Sequence, residues 1–270
     1  MKEFSILYFG DVVGRIGRTA LIKSLPDLKR RHEPDLTLAN VENLTHGSGI
    51  AEKQLLELTD AGVDAFTSGN HVWDNPDGLA ILDDPAWTNR LVRPANMRRG
   101  EPGRGSTVYR TANGIKILLV NLLGQILFPD TVESPFQALD TILAAHAADR
   151  PDLVFLDFHA ETTAEKEAFG HYADGKAAAV MGSHTHVATA DAKILPGGTA
   201  YCTDVGRVGA HDSVIGFEKT SVLERFLTNQ SLSYEIPNHG LVEVNGIVIR
   251  TDLDTGLAVD LDRIREFVEC

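Results

Sequence analysis

The chain has 270 residues, 43% hydrophobic and 23% charged, with a formal net charge of −13 and two cysteines, Cys202 and Cys270. This balance is that of a globular protein with a substantial core, and it excludes an intrinsically disordered or disulfide-built chain. The negative charge argues against general nucleic-acid binding, because a polyanion needs a basic surface to release its counterions, but not against a small phosphate ester held by cations.

The opening apolar run, residues 4–9, is too short for a leader and reads as a buried strand. A helical pattern over 17–31 follows (Leu21, Ile22, Leu25, Leu28), weakened by Pro26. A strand over 35–40, a helix over 51–61 with Leu55, Leu56 and Leu58, and a strand over 64–68 continue the alternation. That order implies parallel pairing with helices covering the sheet. Between 74 and 105 Pro, Asp, Arg and Gly accumulate without periodicity, so a long surface excursion with one short helix is expected. Residues 106–111 and 115–122 flank Ala112-Asn113-Gly114, whose Asn-Gly pair suits a hairpin. A helix over 136–148, strands over 153–158, 177–181 and 199–202, and a helix over 163–172 come next. Over 241–261, Val242, Val244, Ile247, Ile249, Leu257, Val259 and Leu261 alternate as antiparallel strands, punctuated at Asn245-Gly246 and Asp254-Thr255-Gly256. No linker or repeat divides the chain, so 1–270 reads as a single α/β domain with parallel and antiparallel strands. No run reaches membrane-spanning length, and the sparse cysteines suit a reducing, cytoplasmic compartment.

Polar residues able to ligate a metal follow five of these strands. Asp11 comes after 4–9, Glu42 after 35–40, Asn70 after 64–68, His159 after 153–158, and His184 with His186 after 177–181. Ligands of open α/β sheets gather beyond the carboxyl ends of the strands. Taken singly, each residue has an ordinary reading: Asp11 as a helix cap, Gly69-Asn70 or His184-Thr185-His186 as a turn, His159 as a core histidine. Packing does not explain why all of them fall at strand ends. Carboxylates and an amide oxygen favour hard ions, and imidazoles favour Fe, Mn, Zn or Ni, so the mixture suits transition metals. A bridging carboxylate, for which Glu42 is the candidate, holds two cations roughly 3.5–4 Å apart, the spacing used in phosphoryl chemistry. Water bridging such a pair is acidified, and the resulting hydroxide attacks phosphorus in line with the departing alkoxide.

Gly69-Asn70-His71 together with Gly182-Ser183-His184-Thr185-His186 resembles the calcineurin-type metallophosphoesterases. More closely, Gly10-Asp11-Val12-Val13-Gly14-Arg15, Asn40-Val41-Glu42-Asn43, Gly69-Asn70-His71-Val72-Trp73-Asp74, Phe158-His159-Ala160-Glu161-Thr162-Thr163-Ala164-Glu165-Lys166 and Thr203-Asp204-Val205-Gly206 are similar to the YmdB-like branch. The resemblance implies a four-layer α-β-β-α sandwich with two mixed β-sheets. The chain departs from the wider superfamily at Val13, where a histidine ligand stands, at Glu42, where the bridge is an Asp, and at Val72, where an acid follows the histidine. In the branch, the amide of Asn43 replaces the missing histidine. Carried over, the resemblance implies one metal on Asp11, Glu42, Asn43 and His186, and a second on Glu42, Asn70, His159 and His184. The ions would be two divalent or mixed-valence transition metals, iron or manganese. His71 would protonate the leaving oxygen, a role suited to imidazole. Branch members are associated with phosphodiesterase activity on cyclic nucleotides, including 2′,3′-cyclic nucleotides, and the family expectation is a homo-oligomer.

Outside that set, Arg15 and Arg207 are candidates to clamp a phosphate or base, against the commoner solvated arginine, and Trp73 to stack a base, against burial under its loop. His46, His211 and Asp204 lie in Gly-containing loops that can shape a pocket, and Cys202 reads as core. Gly10, Gly14 and Gly17 match neither a P-loop nor a dinucleotide fingerprint. Two competing readings are open. A metal-dependent amidohydrolase or deaminase carries His-x-His near its first strand, whereas here it stands at 184–186. A regulatory protein that senses a metal or nucleotide without turnover would share the scaffold.

Overall fold

Alternation along the first strand sets the layers. β1 (Glu3–Phe9) sends Phe4, Ile6 and Tyr8 to one side and Leu7 and Phe9 to the other, and all are buried. A strand apolar on both faces must be covered on both. The computed structural model describes residues 2–97, 101–129, 131–230 and 233–270; positions 98–100 of the expected 74–105 excursion lie outside the described residues.

The Leu7 and Phe9 side is covered by helices. After β2 (Asp11–Val12), α1 (Gly14–His32) packs there through Ile16, Leu21, Leu25 and Leu28. It begins at Gly14, earlier than the apolar pattern shows, and runs through Pro26, which lies on its exposed face. β3 (Leu36–Asn40), α2 (Glu52–Asp60), β4 (Ala65–Thr67) and α3 (Pro76–Asp83) follow, with Leu55, Leu58, Ile81 and Leu82 joining the same cluster. The Asn75 side chain caps α3, the short helix of the excursion, by accepting from the Asp77 N–H.

The second sheet begins with the hairpin β5 (Ser106–Arg110) and β6 (Lys116–Leu123). Then come α4 (Pro135–Ala145), β7 (Leu153–His159), α5 (Thr163–Ala173), β8 (Ala179–Ser183), β9 (Lys193–Ile194) and β10 (Ala200–Cys202). Its order is β5-β6-β7-β8-β10-β9, with parallel strands in the middle and antiparallel pairs at both edges. Leu139 of α4 and Phe169 of α5 cover its outer face, where Phe158 and Phe169 stack with ring centroids 4.1 Å apart.

β11 (Arg207–Ala210), α6 (Lys219–Thr228), β12 (Leu241–Asp252) and β13 (Leu257–Glu269) complete the chain. The first sheet runs β2-β11-β12-β1-β3-β4, with β13 on β12, and is also mixed. Between the sheets, Ile6, Tyr8, Leu36 and Leu38 meet Ile117, Leu119, Phe155 and Met181. The layers are therefore helix, sheet, sheet, helix, the metallophosphoesterase-like sandwich expected.

Some elements differ from the sequence pattern. Asn245-Gly246 is no turn: β12 passes straight through it, pairing antiparallel with β1 so that Phe9 faces Gly246. A Cβ at 246 would lie 3.0 Å from the Phe9 ring, so the glycine makes room for an aromatic neighbour. β8 runs to Ser183 rather than ending at 181, which brings its end directly against His184. β11 lies within what reads as loop, and α6 falls where no element was expected although Val222, Leu223, Phe226 and Leu227 recur at helical spacing; of these only Val222 is buried, so most of that apolar stripe is left exposed. Among the described residues no helix is long and apolar enough to cross a membrane. Both cysteines are free, and Cys202 is core.

Candidate metal centre

The carboxyl ends of β1, β3 and β4 in one sheet meet those of β7 and β8 in the other. Two donor groups result: Asp11, Glu42 and His186, and Glu42, His159 and His184, each with its donor atoms within 4.8 Å of one another. Glu42 belongs to both. His159 Nε2 lies 3.1 Å from Glu42 Oε1, from Asn70 Oδ1 and from His184 Nδ1. His186 Nε2 lies 3.2 Å from Asn43 Oδ1 and 3.9 Å from Asp11 Oδ1. The structure thus brings together Asp11, Glu42, Asn43, Asn70, His159, His184 and His186.

Each histidine is aimed by a bond to its outer nitrogen. His186 Nδ1 donates to the Ile215 carbonyl at 2.7 Å, and a carbonyl can only accept, so Nε2 presents its lone pair inward. His159 Nδ1 donates to Ser183 Oγ at 2.8 Å, and that hydroxyl donates onward to Asp157 Oδ1 at 2.5 Å. Asp157 is itself fixed by Tyr8 and Asn40. His184 Nε2 faces Glu161 Oε2 at 3.0 Å, leaving Nδ1 inward. Outer partners of this kind set tautomer and ring orientation in metal sites.

A fit to cations shows in what the buried atoms lack. Asp11 Oδ1 is buried without a hydrogen-bond partner. Burial pushes the Asp11 carboxyl up to about 6. Burial also acts against charge on His159, but the Glu42 carboxylate overrides it and raises the imidazole. Burial and the neighbouring His159 push His184 down to about 2. His159 Nε2 and Glu42 Oε1, 3.1 Å apart, converge on the position a cation would take. Backbone leaves room for one as well: a Cβ at Gly69 would lie 2.3 Å from both Glu42 Oε2 and His159 Nε2.

Beside these groups, the His71 N–H donates to Glu42 Oε2 at 2.9 Å and His71 Nδ1 bonds Asp74 Oδ2 at 2.7 Å. A tight turn, closed by the Asp74 N–H on the His71 carbonyl, brings that acid back across Val72 and Trp73. A cavity of about 370 Å³ opens there, lined by Glu42, His71, His184 and His186 together with Ile215, Phe217 and Tyr234.

The other candidates divide. His46 lines this cavity, whereas His211 faces Glu243 and Phe267 elsewhere. Trp73 packs against the helix-side core rather than lining the cavity, which favours the burial reading. Arg207 is buried and its terminal nitrogens donate to the carbonyls of His186 and Ala210, both at 3.0 Å, so it braces the histidine loop instead of offering a free clamp. Arg15 is exposed at the edge of a neighbouring cavity. Asp204 does not line the cavity; it pairs with buried Lys166 and accepts from the Thr185 N–H, beneath His184 and His186. Among the supports, Glu161, Lys166 and Ser183 lie inside the quoted motifs and Asp157 just before one, but their roles show only in the structure, since their bonds cross between elements.

Comparison with known proteins agrees with this architecture. The family model described as YmdB-like protein matches residues 7–264. A Bacillus subtilis (strain 168) protein named 2′,3′-cyclic-nucleotide 2′-phosphodiesterase is 44% identical over 259 residues, covering 96% of this chain and 96% of its own length. The crystal structure of a phosphatase from Mycoplasma pneumoniae superposes with a TM-score of 0.91 at 35% identity, covering 100% of this chain and 95% of its own. That of a hypothetical protein from Thermus thermophilus gives 0.88 at 36% identity, covering 98% of this chain and 99% of its own. With a match over residues 7–264 and its donor groups at the strand ends, the chain belongs to the YmdB-like family.

Proposed function

We propose that the chain is a metal-dependent phosphodiesterase that hydrolyses small phosphate diesters, with nucleoside 2′,3′-cyclic phosphates as the substrate class. The observation that carries this reading is the pair of donor groups sharing Glu42, buried except for half-buried His184, at the floor of a small cavity. The name of the Bacillus subtilis relative supports the substrate class. The reading treats 1–270 as one domain, in the cytoplasm and as a homo-oligomer.

Asp11, Glu42, Asn43 and His186 would hold one cation and Glu42, Asn70, His159 and His184 a second, with iron or manganese matching the mixed carboxylate, amide and imidazole donors. Bound there, two such cations supply Lewis-acid polarisation of the phosphoryl oxygens and acidification of a water. The protein's own groups do the rest. His71, with Nδ1 held by Asp74, turns Nε2 to the substrate and delivers a proton to the leaving ribose oxygen. Ile215, Phe217 and Tyr234 line the same cavity with apolar surface and limit bulk water. A volume of about 370 Å³ suits one small ligand.

The test is elemental analysis of protein purified without chelators, paired with hydrolysis of bis-p-nitrophenyl phosphate and 2′,3′-cyclic AMP. About two transition ions per chain are expected, the complement of a two-metal site. In Glu42→Gln, turnover should fall by at least about 10²-fold, the scale of losing one electrostatic stabiliser. No bound metal, and no turnover after reconstitution with manganese or iron, would overturn the reading in favour of a binding protein on this scaffold.

A further inference from the structure

The cleft does not end at the inner cavity. A second cavity of about 440 Å³ lies beside it, and His46 and Tyr234 line both. The wall between them is firmly built. Ile236 packs so closely on Gly14 and Gly47 that a Cβ at either would lie 2.8 or 2.9 Å from its Cδ1. The Glu235 carbonyl accepts from the Glu218 N–H at 2.7 Å. The Tyr234 ring is held between Phe217, 5.0 Å away, and the Arg225 guanidinium at 4.8 Å.

The outer cavity has the chemistry of an anion subsite. Arg18 in its lining is committed to Glu57 and the Leu44 carbonyl. Arg15 is exposed and makes no side-chain hydrogen bond or ion pair with the other described residues. With Arg18 already neutralised by Glu57, the free guanidinium of the lining is Arg15, and Glu235 is the one lining carboxylate among the described residues. In a chain of net charge −13, an uncommitted arginine beside a phosphoesterase cavity selects for a second negative group on the same substrate.

Building on the phosphodiesterase reading, we propose that the substrate is a nucleoside 2′,3′-cyclic phosphate that also carries a 5′-phosphoryl group, which occupies the outer cavity against Arg15. That group is either a free 5′-phosphate or the link to a preceding nucleotide. The cyclic phosphate lies over Glu42 and the histidines, and the hydrolytic step is unchanged: a water oxygen joins phosphorus, one ring P–O bond breaks, and the released ribose oxygen takes a proton. The acidic surface favours a short substrate, because a long strand would lay further phosphates over a protein of like charge.

The experiment compares kcat/KM of the metal-loaded enzyme for three substrates. They are adenosine 2′,3′-cyclic phosphate, its 5′-phosphorylated form, and an adenosine dinucleotide ending in a 2′,3′-cyclic phosphate. Wild type should favour the second or third over the first by about tenfold, mainly through KM, the scale of one charge-assisted contact. Arg15→Gln should bring that ratio close to one, and salt should weaken it in the wild type. A preference for the 5′-phosphorylated mononucleotide identifies a free phosphate as the natural group, and a preference for the dinucleotide identifies the internucleotide link. Equal kcat/KM for all three, or an undiminished ratio in Arg15→Gln, overturns the proposal and leaves the phosphodiesterase reading intact. Hydrolysis of none of them, and not of bis-p-nitrophenyl phosphate, removes both.

Discussion

Lys166 Nζ lies 2.7 Å from Asp204 Oδ2, with the two side chains 1% and 0% exposed. Lys166 also donates to the Ser183 carbonyl, and the same Asp204 oxygen accepts from the Thr185 N–H and hydroxyl. The pair therefore ties α5 to the loop that carries His184 and His186. Breaking a buried pair leaves one charge uncompensated. Lys166→Met should accordingly cost about 3–5 kcal/mol in denaturant unfolding, and Lys166→Met combined with Asp204→Asn, which removes the charge but keeps an acceptor for Thr185, should regain part of it. An unchanged unfolding midpoint in the single variant would show that the pair does not hold the loop.

Gly69 backs onto Glu42 and His159 so closely that any side chain would enter the donor groups. Gly69→Ala should keep the circular dichroism spectrum of the wild type while metal affinity falls by at least about tenfold, equivalent to about 1.4 kcal/mol. Wild-type affinity in a chelator competition would count against cations at this position.

His71 and Asp74 should separate by leaving group. His71→Ala should slow 2′,3′-cyclic AMP hydrolysis by about 10²–10⁴-fold, the range for general acid catalysis, and slow activated aryl esters much less. Asp74→Asn, which keeps the side chain but weakens its hold on His71 Nδ1, should fall between. Equal losses on both substrate classes would remove the acid role.

Glu161 is 45% exposed yet holds the outer nitrogen of His184 at 3.0 Å. Glu161→Gln should lower metal affinity by about 10–100-fold, as loss of outer partners does, with little effect on unfolding. Measured affinity equal to wild type would mean that His184 is oriented without it.

Much of this protein was open to reading from sequence by itself. The strands over 4–9, 35–40, 64–68 and 153–158, and the residues just beyond them, are local features: an apolar run of strand length closed by a polar residue. Strand-end placement combined with residue type then brought Asp11, Glu42, Asn70, His159, His184 and His186 into view together. The YmdB-like motifs added Asn43 and the sandwich.

Only the tertiary structure decided what depends on distant neighbours. Asn43 Oδ1 meets His186 Nε2 from 143 residues away, and Lys166 meets Asp204 from 38, so no local pattern carries either contact. Asn245-Gly246 has turn composition, yet β1 pairs along it and Phe9 claims the space over the glycine. Arg207 has the chemistry of a phosphate clamp until the His186 and Ala210 carbonyls occupy it. Arg15 gains meaning only beside a cavity whose far wall comes from residues 234–238. Residue type states what a side chain can bind, and folding selects which partner reaches it first.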